Sequence, residues 1–129
     1  MQREGITALG TVPGSRPDSA TEIPAELIPA RQRFRDLIIE RIMTLEALGI
    51  RVRNGQEPRA ALAGIVALSH KIAGVAGSLG FSSAGNLAAA LERNYLDLTE
   101  LKTPLRDVWR DTEPRLIALM DELEALLDE

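Results

Sequence analysis

Ser69–Phe81 reads SHKIAGVAGSLGF, and the reading of that stretch decides the fold. It holds the chain's only histidine and three of its ten glycines. As a loop it would be a flexible phosphate cradle, and as a helix it would be an element built around close clearance. Leu68, Ile72, Val75 and Leu79 recur at the three- and four-residue spacing of one helical face, and Ala60, Leu62 and Ile65 extend the apolar pattern backwards. Pro58 suits the first turn of such a helix, where its missing N–H costs nothing, and Gly80 is placed to end it. The spacing therefore predicts a helix from Pro58 through Leu79.

A helix advances about 100° per residue, so each side chain can be placed on a wheel relative to His70. Ala63, Ala67, Gly74 and Gly77 fall within about 60° of the histidine, and Ala73 lies about 60° to its other side. Leu68, Ile72, Val75 and Leu79 cluster about 180° away. The histidine is thus expected opposite the core face, among residues too small to shield it. Glycine inside a helix costs about 0.5–1 kcal/mol relative to alanine, so Gly74 and Gly77 need a reason. Close approach of another protein surface supplies one, and close packing of a neighbouring helix supplies another.

Outward from this helix the chain reads all-α. Pro24–Ile28 forms a short helical turn, and Pro29 opens a longer helix carrying Phe34, Leu37, Ile38, Leu45, Leu48 and Val52, which ends at Asn54-Gly55. Ser82 or Ser83 caps a third helix with Leu87, Leu91, Tyr95 and Leu98. Thr103-Pro104 starts a fourth, in which Leu105, Val108, Trp109, Thr112, Leu116, Leu119, Leu123 and Leu126 follow a near-heptad spacing. Pro114 is expected to kink or split it. Short connections make an antiparallel four-helix bundle the economical arrangement, covering residues 24–129 as one domain. Residues 1–23, with Gly5, Gly10, Pro13, Gly14 and Pro17 and no periodicity, read as a flexible tail. Ile39, Met43 and Ile50 are apolar positions left to complete the core or to support self-association.

Composition narrows the functional classes. Apolar residues make up 45% of the chain and aromatics only 3%, and the aliphatics favour helix on helix. The absence of cysteine removes disulfides and thiolate metal sites. The longest wholly apolar run, Ala60–Leu68 broken only by Gly64, falls far short of the roughly 20 residues of a membrane span, and the N-terminus lacks a signal-peptide core. A cytoplasmic protein without membrane contact is expected. The net charge of −4, with 15 basic residues dispersed among 19 acidic ones, argues against nucleic acid and towards protein partners.

Several chemistries lack their parts. A phosphate loop needs a preceding strand and a terminal Gly-Lys-Ser/Thr, and a dinucleotide fingerprint needs strand-turn-helix context. Neither accompanies Gly74, Gly77 and Gly80. Ser69 points about 100° from His70, so the pair makes no hydrolytic dyad. Ala67 stands where a Glu-x-x-His metal motif would place its glutamate. The carboxylate pairs Asp121-Glu122 and Asp128-Glu129 read as solvated charge at the end of the last helix.

His70, Gly74, Ala76, Gly77, Leu79 and Gly80, followed by Ala84, Leu87, Leu91 and Glu92, resemble the phosphoacceptor region of histidine-containing phosphotransfer domains. The pattern, H-x-x-x-G-x-A-G-x-L-G running on into "LE", spans about 23 residues, and the helices around it extend the likeness from Pro24 to the C-terminus. The resemblance implies a four-helix bundle and a phosphorelay intermediate without an ATP site of its own. In it His70 would accept a phosphoryl group from a receiver aspartate and pass it to another receiver. Gly74 would admit the receiver's loops, and the docking face would comprise Ala63, Ala67, Lys71, Ala73, Gly74 and Gly77, with Arg59 at its rim about 16 Å away. Response-regulator receivers, and a hybrid histidine kinase beside them, would be the partners. The chain itself would bind no cofactor or metal, since Mg²⁺ would sit in the receiver. Imidazole, with an ordinary pKa of about 6.5, is a competent nucleophile near neutral pH.

Many members of that family carry lysine three residues after the histidine, where this chain has Ala73. Either the phosphohistidine is held less firmly here, or a cation from another helix or from the receiver takes the lysine's place. Two other readings stand beside the relay. One is the phosphoacceptor module of a larger sensor or chemotaxis-type kinase, against which Met1 and a complete bundle favour a stand-alone protein. The other is a helical adaptor in which His70 is incidental.

Overall fold

Four helices make up most of the computed structural model, which describes residues 23–128. The expected tail therefore lies outside the described residues, apart from Ile23. Helix α1 runs Ile28–Arg53, α2 Pro58–Ser78, α3 Ser82–Glu100 and α4 Leu105–Leu126, preceded by a 3-10 turn at Ala25–Leu27. No strand occurs among the described residues. Helix α2 packs against α1 and α3, and α4 packs against the same two, so α2 and α4 lie diagonally across an all-α bundle.

The first three helices end in the same way. The Gln56 N–H reaches the Arg51 carbonyl at 2.9 Å, Phe81 reaches Ala76 at 2.8 Å, and Thr103 reaches Leu98 at 3.0 Å. Each closure needs one left-handed residue, supplied by Gly55 (φ 71°), Gly80 (φ 85°) and, at some strain, Lys102 (φ 59°). Gly80 has a second constraint, because a Cβ there would stand 2.9 Å from Ile23 Cδ1. These tight ends fold each helix straight back along its predecessor.

The core gathers one stripe from each helix. Phe34, Ile38, Leu45 and Val52 come from α1, and Leu62, Ile65, Ile72 and Ala76 from α2. Helix α3 adds Ala84, Ala88 and Leu91, and α4 adds Val108, Leu116, Leu119, Leu123 and Leu126. Helix α2 is by length and composition apolar enough to cross a membrane. Its hydropathy has a local cause, since its large aliphatics are mostly buried and half of its exposed positions are alanine or glycine.

Four expectations need correction. Neither Ser82 nor Ser83 caps α3: Phe81 occupies the cap position, its carbonyl accepting from Gly85 N–H at 3.0 Å, and Ser82 is already helical. The chain re-enters the helix at once because the Phe81 ring is buried against Phe34, centroids 5.3 Å apart. Pro114 does not split α4, which is continuous because Thr112, Leu116 and Leu119 hold both halves to one core. Leu37 and Val75 are not core but exposed, at 41% and 47%. The burial of α2 is turned towards Ser69 and Ala76 because α3 presents only Ala84, Gly85 and Ala88 there, letting the two backbones close and leaving Val75 outside. Ile39, Met43 and Ile50 do not complete the core either, and all three are exposed on α1.

Candidate functional site

Helix α2 is held at a fixed level by its neighbours on both sides. On the α3 side, a Cβ added to Gly85 would lie 3.2 Å from the Gly77 backbone nitrogen, so these two residues are level where the helices meet. On the α1 side, Leu48 packs over Gly64, and Arg31 Nη1 donates to the Leu79 carbonyl at 2.6 Å. In an antiparallel pair, seven residues forward on one helix meet seven residues back on the other, and seven residues restore the same face. His70 stands seven before Gly77 and Glu92 seven after Gly85; Arg41 stands seven before Leu48 and Lys71 seven after Gly64. His70 is thereby level with Glu92 of α3 and within one residue of the level of Arg41 of α1.

The His70 side chain is 72% exposed. Its Nδ1 lies 2.9 Å from Oε1 and 2.8 Å from Oε2 of Glu92, a residue only 26% exposed. An ionised carboxylate only accepts, so Nδ1 carries the hydrogen and donates. In the neutral ring the lone pair then belongs to Nε2, which diverges from Nδ1 and so faces away from α3. A hydrogen bond from the backside nitrogen also fixes the ring's orientation.

Along α2 beyond the histidine the surface is open. A Cβ on Gly74 or on Gly77 would meet nothing within 4 Å. Neither glycine is therefore needed for helix packing; Gly85 serves that purpose from the other helix. Between α1 and α2 runs a groove of about 700 Å³ whose lining includes His70, Lys71, Gly74 and Val75 on one wall and Arg33, Phe34, Leu37 and Arg41 on the other. Its floor is apolar, and its three cations have no ion-pair partner among the described residues.

The residues expected from sequence divide accordingly. His70, Lys71 and Gly74 share the groove, while Ala73 and Gly77 lie on the side turned to α3. Ala63 and Ala67 are exposed on the turns before the histidine. Arg59 is not brought to His70, for it lines a separate pocket with Tyr95, Thr99 and Leu105. Glu92, Arg41, Leu37 and Val75 had no site role in the sequence reading. Glu92 was visible only as the end of a motif, and a wheel drawn for one helix cannot show which residue of another stands level with it. Among the described residues no group of three or more His, Asp or Glu is placed to hold a metal ion.

The Hpt domain family model matches residues 30–129. Comparison with curated proteins and with solved structures finds no match.

Proposed function

The chain belongs to the Hpt domain family, and on that premise we propose that it is a phosphorelay intermediate carrying its phosphoryl group on Nε2 of His70. Domains of this family are phosphocarriers in two-component signalling and work with response-regulator receivers, without an ATP site of their own. The observation that carries the proposal is the state of the histidine. Its Nδ1 is engaged by Glu92 on a side chain that is 72% exposed, and Gly74, one turn on, leaves open space.

The Nε2 lone pair attacks the phosphorus of a receiver's aspartyl phosphate, the P–O bond to the aspartate breaks, and the carboxylate leaves. No proton has to move, because Nδ1–H stays bonded to Glu92 and the positive charge that develops on the ring faces that carboxylate. Mg²⁺ bound in the receiver offsets the charge of the transferring group. This chain supplies the nucleophile, its orientation and a surface with clearance. Receivers and a hybrid kinase as partners, Ala63, Ala67, Lys71, Ala73, Gly74 and Gly77 as the docking face, and a cytoplasmic location belong to the same proposal. Arg59 is left to a peripheral contact.

The test is transfer of label. Receiver domains of the source organism, charged with radiolabelled acetyl phosphate in Mg²⁺, should label the wild-type protein and leave His70→Gln unlabelled. Equal labelling of both proteins, or labelling of neither by any receiver, would remove the relay reading and leave a helical adaptor in its place.

A further inference from the structure

The relay reading leaves one need unmet: a phosphoryl group on Nε2 carries about two negative charges, and Ala73 stands where many members of the family carry a lysine. We infer that Arg41 of α1 is the cation that pairs with the phosphoryl oxygens on His70, with Lys71 beside it. This rests on the relay reading and adds to it a positioning residue from a different helix.

Three observations lead to Arg41. The Leu48–Gly64 contact puts it level with Lys71 and one residue from the level of His70, and all three line one groove. Arg33, the other α1 cation in the groove, stands eight residues further along, roughly 12 Å at the helical rise. Second, Glu92 draws Nδ1 towards α3, so Nε2 faces away from α3, on the side where the α1 groove lies. Third, Arg41 is half-buried yet has no carboxylate partner among the described residues, and Lys71 has none either. Two cations held level in one groove repel each other until an anion arrives between them. A guanidinium offers paired N–H donors in the planar arrangement that phosphoryl oxygens accept.

Phosphoramidate separates this inference from the relay itself, because it needs no receiver. Nε2 attacks its phosphorus, the bond to nitrogen breaks, ammonia leaves, and the phosphoryl group remains on His70. The ³¹P signal of the loaded protein is then followed against pH. A neighbouring cation favours the doubly charged phosphoryl form, so the signal should titrate about half a pH unit higher in Arg41→Ala than in wild type. Arg41→Lys should return most of that shift, and thermal unfolding of the unloaded variants should match wild type. Identical titrations for wild type and Arg41→Ala would overturn the inference, as would a shift in Lys71→Ala with none in Arg41→Ala. A failure of receivers to transfer label, with the titration shift present, would instead fall on the relay reading. Failure of His70 to load from phosphoramidate would remove both.

Discussion

At the scale of single residues, the glycines beside the histidine separate two uses of a missing side chain. Gly85 is buried and lets α3 touch the backbone of α2, whereas Gly74 faces open space. Both would be described from sequence as a glycine inside a helix, and only their surroundings tell them apart. Gly74→Ala removes the conformational cost of glycine without a clash, so it should stabilise the fold by about 0.5–1 kcal/mol. The same methyl group stands where a receiver would approach, so label transfer should slow. Calorimetry paired with transfer kinetics checks this, and a variant that is both stabler and equally fast would show that Gly74 gives no clearance. Glu92 belongs to this scale as well: a carboxylate bonded to Nδ1 converts an exposed ring into one with a defined free nitrogen.

At the scale of elements, α4 shows tertiary packing overriding a local signal. Proline within a helix removes one backbone hydrogen bond and crowds the preceding turn, which is why Pro114 reads as a kink or a break. The break does not occur, because residues on both sides of it place Thr112, Leu116 and Leu119 on one buried stripe. Pro114 is itself exposed, so the helix carries the defect on its solvent side. Pro114→Ala restores a donor to the Arg110 carbonyl and should stabilise the protein by about 1–2 kcal/mol after allowing for the freer unfolded chain. An unchanged or lowered denaturation midpoint would mean that the proline suits the local geometry. In α2 the element-level error ran the other way: a regular aliphatic stripe placed Val75 in the core, but the small face of α3 rotated the burial away from it. The exposed Val75 and Leu37 became groove residues.

At the scale of the whole molecule, the diagonal arrangement of α2 and α4 separates stability from the candidate site. Leu119 is fully buried on α4, which packs on α1 and α3. Leu119→Ala should cost about 2–5 kcal/mol, while label uptake per folded molecule should stay within about twofold of wild type. Uptake falling out of proportion to the folded fraction would show that α4 bears directly on the site. By itself, the sequence determined the helical class, the four-helix count, the glycine turns and the exposure of His70. Those follow from interactions within a few residues: the 3.6-residue period, the missing N–H of proline and the left-handed freedom of Gly55 and Gly80. Only the tertiary structure decided what surrounds His70. Glu92 is 22 residues and Arg41 29 residues from it in sequence, and they reach or come within one residue of its level through contacts elsewhere, Gly85 on the Gly77 backbone and the Leu48 side chain on Gly64. Register between helices depends on how closely two surfaces approach, and that distance is a property of the pair, which the periodicity of either helix alone does not contain.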